Sequence, residues 1–117
     1  MNDDRPVFVQ IIEMIEDDIL AGTYAAGDLI ISTPQISKLL GVNPTTAQRA
    51  VTVLTDRGII TKKRGIGMAV TPQAREQILA ARRQVFHDKT VPDFINRAST
   101  IGITGPELLD IVQRNLP

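Results

Sequence analysis

Polar side chains that could contact nucleic acid recur at helical spacing between residues 45 and 52. Gln48, Arg49 and Thr52 follow Thr45 by three, four and seven positions, so these four residues would share one face of a helix. Arginine can form paired hydrogen bonds to guanine, and glutamine can form them to adenine. Threonine hydroxyls in a first helical turn, here Thr45 and Thr46, can hold a phosphate. The spacing therefore predicts either a helix that contacts the major groove of DNA or an ordinary amphipathic surface helix.

The elements expected before this helix favour the DNA-contacting interpretation. Asn43 is a favoured N-cap residue, Pro44 suits the first helical position, and Gly58 is expected to end the helix. An earlier helix is predicted to begin at Ser32, which has with Gln35 the spacing of a capping box. Two capped helices joined by a short turn that contains glycine form a helix-turn-helix.

A basic hairpin is predicted directly after the second of these helices. Residues 59–63 and 68–71 are expected to form its strands, and the tip between them contains two glycines. Its cations could bind phosphates or enter the minor groove, and its glycines would let the backbone approach DNA closely. A solvated charge run is the alternative, but a hairpin in this position is typical of a wing. The candidate DNA-binding residues of the whole region are Ser32, Thr45, Thr46, Gln48, Arg49, Thr52, Lys62, Lys63, Arg64, Gly65 and Gly67.

The segments that precede this region should supply its core. A first helix is predicted over residues 7–21, because apolar side chains recur there at helical spacing and Gly22 can end it. The members of this apolar stripe are Phe8, Ile11, Ile12, Ile15 and Ile19. Residues 29–31 are expected to form a very short strand.

The C-terminal residues should form three further helices. The first is predicted to begin at Thr71-Pro72 and to reach about Asp88. Thr90 and Thr104 each have an acidic residue three positions later, so they are expected to cap helices near 91–100 and 105–116. The predicted fold class is mainly α with a small β wing. It comprises a winged helix-turn-helix DNA-binding domain over residues 1–71 and a C-terminal helical dimerisation segment over residues 72–117.

This C-terminal segment is too short to form a stable core by itself. It must pack on the winged domain, on a second copy of the chain, or on both. A homodimer is favoured over folding back on its own subunit, because operators are commonly palindromic and a two-fold protein matches them. The candidate dimerisation residues are Ile78, Val85, Phe86, Phe94, Leu108, Leu109 and Val112.

Composition excludes several classes of function. The chain has no cysteine, which excludes disulfides, thiol catalysis and cysteine-based zinc sites. His87 is the only histidine, and we found neither a phosphate loop nor a nucleophile motif, so we expect no enzyme activity, metal or cofactor. No apolar run reaches membrane-spanning length, and the acidic N-terminus does not resemble a signal peptide, so a cytoplasmic location is expected.

The net charge of zero is unusual for a DNA-binding protein, but the charges are unevenly distributed. Residues 1–42 contain seven acidic and two basic side chains, whereas residues 43–71 contain five basic side chains and one acidic. A phosphate backbone responds to charge within about 10 Å, so the local excess is what matters.

Residues 7–71 resemble the GntR family of bacterial regulators, in particular its short YtrA-like branch. Residues 21–28 are similar to that family's glycine-containing turn, residues 40–50 to the start of its recognition helix, and residues 56–70 to its wing. The chain departs from the family at Pro34 and Pro44, where many members have an arginine.

This resemblance implies a dimeric repressor of transcription whose DNA binding is released by a small-molecule effector of unknown identity. It also implies that DNA is contacted by Ser32, Thr45, Thr46, Gln48, Arg49, Arg64 and Gly67. A winged-helix protein-interaction module that does not bind DNA is the alternative, since the zero net charge and the two prolines would permit it.

Overall fold

The computed structural model describes residues 4–117 and confirms the predicted fold class. The chain is mainly helical, with one two-stranded antiparallel sheet among the residues described. In chain order, the elements are α1 (Val7–Leu20), α2 (Thr33–Leu40), α3 (Pro44–Asp56), β1 (Ile60–Lys63), β2 (Gly67–Val70), α4 (Ala74–Val85), a π-helical segment (Phe86–Thr90), α5 (Val91–Thr100) and α6 (Gly105–Asn115). The chain divides into two units, the first ending at Leu79 and the second running from Ala80 to Pro117.

The core of the first unit is built on the apolar face of α1. Ile11, Ile12, Ile15 and Ile19 are all buried, as their spacing predicts, whereas Phe8 is only partly buried at the edge of the core. The members of the core from other elements are Ile30, Ile36, Ala47, Ala50, Val51, Leu54, Ile59, Ile60, Val70, Ala74 and Ile78. Burial of this many aliphatic side chains holds α3 against both α1 and α2.

Local capping defines where the helices of the helix-turn-helix begin and end. The Ser32 hydroxyl accepts a hydrogen bond from the Gln35 amide, and the Gln35 side chain accepts one from the Ser32 amide, which confirms the capping box. Gly41 ends α2 with a φ of +64°, a left-handed conformation that glycine adopts without steric cost. Asn43 caps α3 through its side-chain oxygen, which accepts from the Thr45 amide at 2.8 Å.

The wing is a hairpin that a third segment joins along one edge. β1 pairs with β2 from Ile60 opposite Val70 to Lys63 opposite Gly67. The strand expected at residues 29–31 is reduced to a single bridge between Leu29 and Ala69. Because this bridge lies just before α2, it ties the hairpin to the start of the helix-turn-helix.

The start of α4 differs from the prediction in its position and in what it packs against. The helix begins at Ala74 rather than at Thr71, whose hydroxyl donates to the carbonyl of Gly58 at 2.6 Å. Ala74 and Ile78 are each 1% exposed and complete the core of the first unit. The prediction that Ile78 contributes to a dimer interface is therefore wrong, because its side chain is enclosed within its own chain.

The predicted N-cap at Thr90 is also wrong. Thr90 has helical backbone angles and makes no capping hydrogen bond, and the amide of Val91 donates to the carbonyl of Phe86, five residues earlier. Pro92 explains this wider turn, because proline lacks an N–H and crowds the carbonyl four residues before it. The cap predicted at Thr104 is confirmed, since its hydroxyl accepts from the Glu107 amide at 3.3 Å.

Candidate nucleic-acid interface

The two faces of α3 are divided as the sequence predicts. Ala47, Ala50, Val51 and Leu54 are buried in the core. The side chains on the opposite face are exposed, and they are Thr45, Gln48, Arg49 and Thr52. Thr46 lies between the two faces and is half-buried. In the first unit, the face with base-recognition chemistry is therefore accessible to a partner molecule.

Gln48 is held by hydroxyl groups on two different helices. The Thr33 hydroxyl, at the first residue of α2, donates to Oε1 of Gln48 at 3.1 Å. Nε2 of Gln48 donates to the Thr52 hydroxyl, one turn later in α3, at 3.3 Å. Thr33 is not among the residues predicted from the sequence, because only the folded turn between the helices brings the start of α2 beside the middle of α3.

Arg49 is held by an aromatic ring of α1. Its guanidinium carbon lies 3.9 Å from the centre of the Phe8 ring, which is a cation–π arrangement. From its spacing, Phe8 is predicted only as a member of the apolar stripe of the first helix. Phe8 is therefore packed against the core and also contacts Arg49.

The wing tip combines exposed cations with glycine-dependent backbone. Lys62, Lys63 and Arg64 are exposed. Gly65 and Gly67 have φ values of +76° and +143°, which residues with a side chain rarely adopt. No atom lies within 4 Å of the position that a Cβ of Gly65 would occupy, so the turn and not crowding requires glycine there.

A groove on the first unit brings three of the candidate DNA-binding residues together. Residues 29–35 form one wall, and residues 66–68 of the wing form another. Ser32, Gln48 and Gly67 all line this groove, together with Tyr24. The helix-turn-helix and the wing thus share one concave surface.

Several exposed apolar side chains lie in the second unit. Val85, Phe86, Phe94 and Leu109 are between 45% and 73% exposed, Val112 is also exposed, and Leu108 is half-buried. Three further apolar residues, which are not among the candidate dimerisation residues, are at least half exposed, namely Ile95, Ile101 and Leu116. So much exposed apolar surface in a short segment is typical of a surface that a partner covers.

Residues 4–117 contain no group of three or more histidine or carboxylate side chains that could hold a metal ion. Within the same residues, every helix falls short of the length and apolarity needed to cross a membrane.

Most of the first unit is similar to known proteins. Residues 8–70, more than half of the chain, match the family described as bacterial regulatory proteins, gntR family. The HTH-type transcriptional repressor YtrA of Bacillus subtilis strain 168 is 25% identical over 84 residues, which cover 72% of this chain and 65% of YtrA.

Other relatives differ in how much of their length the chain matches. The HTH-type transcriptional regulator GgaR of Escherichia coli strain K12 is 25% identical over 68 residues, covering 58% of this chain and 27% of GgaR. The chain therefore spans about a quarter of GgaR and just under two thirds of YtrA. A solved GntR family transcriptional regulator from Listeria monocytogenes is 31% identical with a TM-score of 0.78, covering 99% of this chain and 100% of that one.

Proposed function

The chain belongs to the GntR family of bacterial regulatory proteins, and we propose that it is a dimeric repressor that binds a palindromic operator and is released by a small effector. It is a transcription regulator with a DNA-binding helix-turn-helix, and neither its family nor its fold is that of an enzyme. The observation that carries the proposal is the exposed face of α3, which bears Gln48 and Arg49 and from which Gln48 lines a groove shared with the wing.

In the proposed complex, α3 enters the major groove with its N-terminal residues towards the bases. Gln48 and Arg49 contact base edges, and Thr45, Thr46 and Thr52 contact bases or phosphates nearby. Ser32 lies at the start of α2, where its exposed hydroxyl suits a contact with a phosphate. The residues at the wing tip contact the adjacent backbone or the minor groove, and they are Lys62, Lys63, Arg64, Gly65 and Gly67.

The second unit is proposed to form the homodimer. Its exposed side chains, among them Phe86, Phe94 and Leu109, would be costly to leave in water and would be covered by the same surface of a second copy. A two-fold dimer presents two α3 helices to two inverted half-sites, about one helical turn apart.

Repression would follow from occupation of the operator by the dimer. Release would follow from an effector that favours a dimer geometry in which the two α3 helices no longer fit the operator. The relative named a repressor, YtrA, covers most of this chain, which supports the direction of regulation proposed. In this proposal the effector is a small molecule that binds in a pocket between helices.

Salt dependence separates this proposal from a winged-helix module that binds only proteins. Full-length protein would be titrated into fluorescent random-sequence duplexes of about 30 base pairs, long enough for two half-sites. We expect affinity to fall at least about tenfold between roughly 50 and 200 mM salt, because bound lysine and arginine release phosphate counterions. Absence of binding at the lower salt concentration would contradict the proposal.

A further inference from the structure

We infer that Thr33 is a positioning residue, which fixes the amide of Gln48 so that α3 discriminates one base of the operator. The inference rests on the proposed function, and it assigns a role in specificity to a residue of α2. It starts from the two hydrogen bonds that hold the ends of the Gln48 amide, one from each helix of the helix-turn-helix.

The arrangement restricts Gln48 in two directions. Thr52 lies one turn later on the same helix face, so it restrains the side chain along the axis of α3. Thr33 belongs to α2, so it restrains the side chain across the axis. A free glutamine samples many rotamers, and each contact made before DNA arrives reduces the freedom that is lost on binding.

The hydrogen-bonding capacity that remains suits an adenine. A glutamine amide has two N–H donors and two acceptor lone pairs, and the two threonines use one of each. One donor and one acceptor are left. A paired contact with adenine requires one donor for N7 and one acceptor for the N6 amino group.

The backbone that carries Thr33 is held in one conformation by its neighbours. It is half-buried and directly follows the N-cap residue Ser32, whose capping box with Gln35 fixes the first turn of α2. Pro34 follows and restricts the backbone further. The hydroxyl is therefore presented to Gln48 by a well-defined turn and not by a mobile loop.

Removal of this hydroxyl should change base preference and leave the electrostatic part of binding intact. Thr33 is uncharged, so its loss cannot change the number of counterions released from DNA. Only the position that Gln48 contacts should lose discrimination. A purely structural role for Thr33 would change stability or overall affinity without this selective loss.

The test is selection of bound duplexes from a random pool by the full-length protein and its variants, followed by sequencing. Gln48→Ala identifies the position concerned, as the one whose adenine preference it abolishes. Thr33→Val, which keeps the shape and removes the hydroxyl, should reduce the preference there about 2- to 10-fold, the factor that one hydrogen bond supplies. Thr33→Ala should do the same, so the result does not depend on one variant folding.

Two matched controls complete the design. Thr33→Ser keeps the hydroxyl and should restore the preference of the wild type. Thr55→Val removes a hydroxyl that donates to the Val51 carbonyl within α3, and it should leave every position unchanged.

Each outcome has a definite meaning. Unchanged preference in Thr33→Val and Thr33→Ala, with loss in Gln48→Ala, overturns the role of Thr33 and leaves the proposed function standing. A wild-type profile for Gln48→Ala also overturns the inference, because Gln48 would then contact no base. If the wild type enriches no sequence, the proposed function fails and the inference fails with it.

Discussion

At the scale of single residues, Arg49 shows how one side chain can depend on an element far away in sequence. Its guanidinium lies over the ring of Phe8, 41 positions earlier. The ring restricts the side chain without neutralising it, so the charge and the donors at the edge of the guanidinium remain usable. We propose that this contact prepares Arg49 for a guanine.

Replacement of Arg49 should weaken operator binding and relax one base preference. Arg49→Ala is expected to cost about 1–3 kcal/mol of binding free energy, the value of a paired arginine–guanine contact. Arg49→Lys is the matched control, because it keeps the charge but loses the planar pair of donors, and it should lose most of the specificity. Competition titrations against duplexes altered at single positions measure both effects. Wild-type affinity and specificity in Arg49→Ala would show that Arg49 does not contact a base.

The faces of α3 were predictable from sequence, whereas the contacts of its exposed residues were not. Helical spacing separates Ala47, Ala50 and Leu54 from Gln48 and Arg49 without knowledge of the fold. The partners of these two residues, Thr33 and Phe8, come from other helices. Spacing within one helix carries no information about which residues a neighbouring helix places beside it.

At the scale of elements, the capping residues explain why the starts of the two helices of the helix-turn-helix could be predicted from the sequence. Ser32, Asn43 and Thr104 have side chains that satisfy free amides in the first turn, and all three act as predicted. Thr90 has the same signature and fails, because Pro92 and the π turn let the helix continue through it. A capping signature is therefore reliable only where the preceding segment is free to leave the helix.

The cap of α3 should contribute measurably to stability. Asn43→Ala removes the acceptor of the Thr45 amide and should lower the free energy of unfolding by about 1 kcal/mol. Asn43→Asp keeps an acceptor at this position and should retain most of that stability. Urea unfolding followed by circular dichroism measures the difference. An unchanged midpoint and slope in Asn43→Ala would mean that the cap adds nothing.

The wing should contribute affinity through charge and not through sequence recognition. Removal of one phosphate contact, by Lys62→Ala or Arg64→Ala, is expected to reduce the slope of log K against log salt by about one. Lys89→Ala, in the π-helical segment of the second unit, removes an exposed lysine outside the wing and should leave the slope unchanged. Equal slopes for the wild type and both wing variants would rule out phosphate contacts by these residues.

At the scale of the whole molecule, the sequence predicted which segments are apolar but not which of them face the same core. Ala74, Ile78 and Val85 follow one another by four and seven positions, which places them on one face of a helix. The structure nevertheless buries Ala74 and Ile78 in the first unit, while Val85 is 52% exposed. Periodicity shows that a helix has an apolar face, and only the folded chain shows what covers each part of it.

The proposed dimer makes a clear prediction for the second unit. Leu109→Asp places a charge on a side chain that is 73% exposed and proposed to lie in the interface, so it should convert the dimer into a monomer. Leu39→Asp is the matched control, since Leu39 is equally exposed but belongs to α2 of the first unit. Sedimentation velocity measures the mass of each variant. A dimeric Leu109→Asp, or a monomeric wild type, would contradict the proposed interface.

The central claim is that the exposed face of α3 and the wing tip together contact the operator. It is tested most directly by backbone amide chemical shifts of the isotope-labelled full-length protein during titration with a duplex chosen by selection from a random pool. We predict that the largest changes occur at residues 45–52 and 62–67. Changes confined to other parts of the chain, with these two segments unaffected, would contradict the account.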